Sequence, residues 1–247
     1  MYANNEIGTI QPIRRISRLI HEFRIKNQKS RGVISYPLFH VDACQATGFL
    51  PMNVNQLGVD LLALNGNKIY GPRGIGVLYL KTGVPIRPVI LGGDQEHGLR
   101  AGTENLPAIV GLAKAISLIN KNDGKKTSQL RDYFLEQVKK IIPDVRINGP
   151  VGLSRLANNV NISIPSLNSE NLLLELDRFN IYASAGSACT AHSTEPSHIL
   201  KAIGVEEKYL HGALRFSLGR QTTKKEIDHI LEVLPEVIQD LRRRYKK

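Results

Sequence analysis

Three apolar runs of strand length, Leu38–Asp42, Val59–Leu64 and Gly74–Leu80, are separated by stretches of different pattern, and a helix-period segment stands on either side of the set. Behind Pro12, well placed for a first helical turn, Ile13, Ile16, Leu19, Ile20 and Phe23 recur at helical spacing. Ile109, Val110, Leu112, Ala113 and Ile116 mark a second helix between 106 and 119. Strands separated by helical patterns predict an α/β unit around a largely buried sheet. No apolar run approaches the ~20 residues needed to cross a bilayer, which excludes a transmembrane protein. The start MYANNEIGTIQPI has no basic end followed by an apolar stretch, so no secretory signal is expected.

The polar stretch Lys26–Ser35 reads as a connection, and a second polar break at Lys121–Ser128 predicts a domain boundary. Beyond it an amphipathic helix runs to Ile142 and stops at Pro143. Val160–Ile164 alternates like a half-buried strand, Leu172–Leu176 reads as helix, and Ile181–Ala183 and Leu214–Leu218 read as strands. The last helix opens on a capping box, Thr223 with Glu226, and Pro235 is expected to kink it. The expected division is therefore 1–122, an α/β domain, and 123–247, a small α+β domain. A chain of 247 residues can bury a useful core without disulfides. The two cysteines, Cys44 and Cys189, suit a reducing, cytoplasmic setting. Lys+Arg 33 against Asp+Glu 22 leaves a net +11, which favours anionic partners but says nothing of fold. The basic run Arg242–Lys247 reads most simply as a solvated helix end, and direct nucleic-acid binding is not expected.

The densest chemical signal is Asn65-Gly66-Asn67-Lys68-Ile69-Tyr70-Gly71-Pro72-Arg73-Gly74. Glycines let a backbone approach a ligand, and a lysine held in such a loop can attack an aldehyde; the plain alternative is a solvent lysine in a turn. Asp42 ends an apolar strand, where ligands gather in open α/β sheets. Pyridoxal phosphate needs a carboxylate against its ring nitrogen, a lysine for its aldehyde and polar donors for its ring oxygen and phosphate. Asp42, Lys68, Gln45 and Asn5 supply these types. Cys189 lies in the small-residue run Ala185–Ser193, a setting for a nucleophile, whereas Cys44 reads as inert. The spacing of Cys189, His192 and His198 is unremarkable for a metal. Arg215, inside Leu214–Arg220, is either a carboxylate clamp or an edge-strand surface cation.

In order along the chain stand NNEIG at 4–8, HVDACQ at 40–45, NGNKIYGPRG at 65–74 and GGDQEHGLRAGTEN at 92–105. SAGSACT at 184–190, EPSHIL at 195–200 and RFSLGR at 215–220 follow. Together they resemble the cysteine desulfurases, a pyridoxal-phosphate family of the class V aminotransferase group. The resemblance implies the type I pyridoxal-phosphate transferase fold, here a partial large α/β domain followed by the small α+β domain. It implies Lys68 as the lysine that meets the cofactor aldehyde, Asp42 as the ring-nitrogen partner, and Asn5 and Gln45 as neighbours of the ring oxygen. Asn65 and Asn67 fall where the family often has a phosphate-binding serine and histidine. Thr103 matches a threonine that reaches the partner subunit's cofactor phosphate in a homodimer. Arg215, with Asn5, would hold the substrate carboxylate, and Cys189 would accept the sulfur of L-cysteine as a persulfide.

The same resemblance implies delivery to an iron–sulfur scaffold or a tRNA-thiolating acceptor, with Cys189 as a transient ligand to iron on that scaffold and no resident metal. Family members carry a substantial segment before NNEIG, including a phosphate-binding threonine and a ring-stacking histidine. The expectation is thus a fragment or half of a split protein, with apolar surface left exposed where strands are missing. A non-catalytic binding or scaffold module is the alternative reading.

Overall fold

The computed structural model describes residues 1–27, 36–186 and 196–245, and the chain divides into two compact units: Met1–Tyr2 with Gln11–Asn120, and Ala3–Ile10 with Lys121–Lys247. The first unit is built on a three-stranded sheet, β1 (His40–Asp42), β2 (Leu61–Asn65) and β3 (Gly76–Leu80), in that order. β1 and β2 are parallel, with Asp42 opposite Ala63, so a crossover must join them. It contains the short helix α2 (Val54–Leu57), which Asn53 caps by accepting from the Gln56 N–H and Gly58 ends at φ 67°. β2 and β3 are antiparallel, from Leu61 opposite Leu80 to Asn65 opposite Gly76.

Helix α1 (Ile13–Asn27) is tied to this sheet by one buried carboxylate. Asp60 accepts from the Arg24 guanidinium and, at 2.8 Å, from the Phe39 N–H just before β1. The sheet is less covered than its apolar runs predict. Val41, Leu61 and Leu62 are buried, but Val77 and Leu78 of β3 are 42% and 48% exposed. Helix α3 (Leu106–Ser117), capped by the Asn105 side chain, buries Ala108, Leu112 and Ala115 and leaves Leu106, Ile109, Val110 and Ile116 exposed. An apolar run records a capacity for burial, and the covering layer is a separate matter. None of the helices among the described residues is long and apolar enough to cross a membrane.

The second unit carries an antiparallel sheet of β4 (Arg146–Ile147), β5 (Asn159–Ser163) and β6 (Ala213–Ser217). Helices α4 (Lys121–Ile141), α5 (Ser169–Asp177) and α8 (Lys224–Arg244) supply the rest of its core, with short α6 (His198–Ala202) and α7 (Glu207–Leu210) between. Phe134 of α4 meets Phe216 of β6 edge-on, ring centroids 5.2 Å apart, among Val138, Ile162, Leu214 and Leu234. The expected capping box on α8 is present, and the helix continues through Pro235. Two stretches of the second unit take a secondary structure other than the one expected. Lys121–Ser128 is the first two turns of α4, where Thr127 is buried and donates to the Asp123 carbonyl at 2.7 Å. Ile181–Ala183 forms no strand; only Ser184 bridges to Arg215.

The strand read as half-buried is buried on both faces. Of its polar side, Asn159 and Asn161 are covered by residues 3–10, which therefore pack with the second unit, and Ser163 is met by the Asn148 side chain. Asn159 and Asn161 each donate a side-chain N–H to the Glu6 carbonyl, at 2.9 and 3.0 Å. Leu156 N donates to the Gly8 carbonyl at 2.8 Å. Gly8, at φ 70°, is required there, because a Cβ would lie 2.7 Å from Asn159 Oδ1. Beneath this strap Arg155 is 2% exposed, donating to the carbonyls of Asn148 and Pro150 and, at 3.0 Å, to Asn159 Oδ1. Burial, with the Arg131 guanidinium adding to it, lowers the Arg155 pKa to about 10. Arg155→Ala leaves several buried carbonyls unpaired and should cost about 3 kcal/mol or more in urea unfolding, against about 1 kcal/mol for the cap variant Thr223→Ala. Equal costs would show that the polar layer contributes little.

Candidate active site

In the first unit, Asp42 is the last residue of β1 and Lys68 ends the 3-10 turn Gly66–Lys68 that directly follows β2. Because the two strands are parallel, their carboxyl ends lie at the same end of the sheet, where open α/β sheets receive ligands. The turn is shaped locally. Asn65 caps it, its Oδ1 accepting from the Asn67 N–H at 3.1 Å. A Cβ on Gly66 would meet Ile75 Cγ2 at 2.9 Å and the Pro72 carbonyl at 3.0 Å, so only glycine lets the returning chain pass. Ile69 is buried with Leu112 and Ala115, which pins the backbone beside Lys68 while the lysine itself stays exposed. Tyr70 adopts φ 63°, an uncommon conformation for a residue with a side chain.

One thiol reports on the electrostatics of this corner. Cys44 N donates to Asp42 Oδ1 at 2.9 Å. Burial pushes the Cys44 thiol up to about 11; hydrogen bonding to the Asp42 carboxylate and its negative charge add to the rise, and the Lys68 ammonium pulls partly the other way. Asp42 and Lys68 therefore act on the same sulfur, and that sulfur is protonated and inert at neutral pH. Gln45 is half-buried in the turn after β1, Asn67 is exposed beside Lys68, and Thr103 is exposed in the segment before α3.

In the second unit, Arg215 lies on β6 opposite Asn161 and bridges to Ser184, whose carbonyl accepts from Arg215 N at 2.7 Å. Its Nη1 donates to the Asn5 carbonyl at 3.3 Å. The structure thus gathers Asp42, Gln45, Asn65, Asn67 and Lys68 in one unit, and Asn5 with Arg215 in the other. Cys189 and His192 lie outside the described residues. Sequence reasoning quoted Glu6 within NNEIG without giving it a role, yet it is buried and bonded to Ser197. An acid among small and polar residues carries no local signal of burial.

The class-V aminotransferase pattern matches residues 1–230. The chain is 45% identical over 245 residues to cysteine desulfurase IscS of Dictyoglomus turgidum, covering 98% of this chain and 59% of that protein. It is 46% identical to a cysteine desulfurase of Trichormus azollae, covering 58% of it. Among solved structures, a NifS-like protein superposes with a TM-score of 0.83 at 34% identity, covering 98% of this chain and 60% of that one. SspA, solved in complex with cysteine, gives 0.66 at 33%, covering 90% and 58%. The mixed α/β architecture is that of the type I pyridoxal-phosphate-dependent transferases. Within that fold, the chain belongs to the class-V aminotransferase family. It spans about 59% of the length of the curated relatives it matches.

The shared thiol gives a direct check. Asp42→Asn should lower the Cys44 pKa below about 11 and Lys68→Ala should raise it, read as the pH midpoint of Cys44 alkylation by peptide mass spectrometry. Midpoints that ignore both substitutions would place the two side chains away from that sulfur.

Proposed function

We propose that these residues belong to a pyridoxal-phosphate-dependent cysteine desulfurase, which removes sulfur from L-cysteine to give L-alanine and a persulfide on Cys189. The supporting observation is the pairing of an acid and an amine at the carboxyl ends of two parallel strands, both felt by the Cys44 thiol. That donor set fits the cofactor: an exposed carboxylate for a protonated ring nitrogen, an exposed amine for an aldehyde, and the amides of Gln45, Asn65 and Asn67 for ring oxygen and phosphate. Of the Asn65 side chain, the Nδ2 end is the part for phosphate, since Oδ1 caps the turn. Bound there, pyridoxal phosphate supplies an electron sink for the charge left when the substrate α-carbon loses its proton.

The protein's own groups supply the remainder. Asp42 holds the ring nitrogen's proton by its negative charge. With the cofactor bound, the Lys68 amine would be the base that takes the substrate's α-proton. Arg215, with Asn5 at its guanidinium, holds the substrate carboxylate. Cys189 thiolate attacks the substrate sulfur, so an S–S bond forms as the Cβ–S bond breaks. The electron pair goes to Cβ, which takes a proton to complete alanine. The chain's relatives named cysteine desulfurase and the SspA complex with cysteine support this substrate. A homodimer in which Thr103 serves the other subunit, a cytoplasmic setting, and an iron–sulfur scaffold or tRNA-thiolating acceptor complete the proposal. A purely scaffolding module would have no need of Lys68, Asp42, Arg215 and Cys189 together.

Supplied with pyridoxal phosphate, L-cysteine and the segment that family members carry before NNEIG, the chain should form alanine and a persulfide at Cys189. Lys68→Ala should abolish both, Cys189→Ser should abolish the persulfide alone, and Arg215→Ala should raise the KM for cysteine about fiftyfold. Alanine formed at an unchanged rate by Lys68→Ala would refute the assignment.

A further inference from the structure

The sheet of the first unit ends at β1 on one side, and the backbone on that side is turned outward. The Phe39 carbonyl accepts from the Leu61 N–H at 3.2 Å, and Ala43 N donates to the Ala63 carbonyl at 2.8 Å. Residues 39, 41 and 43 therefore direct their backbone groups at β2. By the alternation of a parallel ladder, His40 and Asp42 direct theirs the other way. Both residues are exposed, and an open edge of this kind can receive an extended segment as a further strand.

One of these outward groups is already engaged. Tyr2 N donates to the Asp42 carbonyl at 2.7 Å, and Met1–Tyr2 belong to the same unit as β1. Among the described residues Asp42 N makes no return bond to Tyr2, whose carbonyl accepts from Gln11 N at 2.8 Å. A hydrogen-bonded antiparallel pair exchanges both bonds, so this contact is a rung of a parallel ladder. The register follows from it. Met1 stands opposite Asp42, and chain leading into Met1 runs back along Val41 and His40. The Asp42 N–H then faces the carbonyl of the residue immediately before Met1, and the His40 N–H faces that of the residue two positions further back.

Polypeptide for such a strand exists in the relatives: the match covers 59% of the Dictyoglomus turgidum protein, and the rest of that protein lies outside it. The surface beside the edge also suits a wider sheet. Helix α1 is held to the start of β1 through Arg24 and Asp60, yet Leu19, Phe23 and Ile25 on it are more than half exposed. We propose that the outer edge of β1 receives a further parallel strand from polypeptide leading into Met1, of the kind the longer relatives carry. Asp42 is thereby held between two strands. The pairing is set by backbone geometry and stands whatever reaction the site performs. The opposite edge of the sheet is the competing place: Gly66 N bonds the Ile75 carbonyl and Lys81 N the Asp60 carbonyl, so Gly76, Leu78 and Leu80 of β3 turn their backbone groups outward there.

The test extends the chain ahead of Met1 by about six residues, a usual strand length, copied from those before the matching stretch in the Dictyoglomus turgidum protein. A Gly-Ser extension of equal length is the control. Amide hydrogen exchange, read residue by residue by NMR, should slow about tenfold or more at His40 and Asp42 with the copied residues and not with Gly-Ser. Leu78 should change less than about twofold, and Val41, already paired to β2, should stay protected throughout as the mark of a folded sheet. Proline immediately before Met1 removes the N–H that faces the His40 carbonyl and should abolish the gain. Proline one position earlier, where the N–H faces away from β1, should keep most of it. Protection that is absent, that appears at Leu78 instead, or that is the same in both proline versions overturns the proposal. Protection of Asp42 in the unextended chain that grows with protein concentration also overturns it, and gives the edge to a second copy.

Discussion

The parallel pairing of β1 with β2 is the constraint on which the first unit depends. An antiparallel pairing would put the ends of the two strands at opposite sides of the sheet and separate Asp42 from the turn that carries Lys68. The crossover needed for parallel strands is 43–60, and its last residues are held by Asp60, which binds Arg24 of α1 and the Phe39 backbone. A single buried carboxylate thus sets where β1 begins and where β2 begins, and through them where both strands end. The capped, glycine-lined turn after β2 then presents the amine while Ile69 anchors its backbone.

The second unit solves a different problem. Its β5 strand has a polar face of Asn159, Asn161 and Ser163, and that face is buried. The cost of removing those amides from water is offset by pairing them with backbone carbonyls of the strap at 3–10 and with Asn148. Arg155 and Arg131 extend the network by donating to carbonyls of the neighbouring loops. Such a network has few satisfactory alternatives, so it fixes the strap closely. The strap in turn carries Asn5 to Arg215 and Glu6 to Ser197.

How much of this was legible depended on whether the controlling interaction was local. The capping box at Thr223, the helical stripe of α1, the strand ending at Asp42 and the enclosed lysine at 68 all follow from residues within a few positions of one another. The placement of Asp42 and Lys68 was legible for the same reason, since each stands at a strand end marked in the sequence. The misreadings have the opposite origin. Lys121–Ser128 looks like a polar break, but tertiary packing recruits Thr127 and Arg131 into a helix face that composition alone does not favour. The alternation of β5 looks solvent-facing because its cover comes from more than 150 positions away, in the Asn161–Glu6 bond. Glu6 was invisible as a buried acid on the same ground.

The central claim is that the fold singles out one lysine, by placing it beside an acid at a shared strand end. Treating the chain with pyridoxal phosphate, reducing with borohydride and mapping the pyridoxyl label by peptide mass spectrometry tests that claim most directly. The account predicts label concentrated on Lys68. Label spread over exposed lysines such as Lys114, Lys125 and Lys208, with no preference for Lys68, would contradict it.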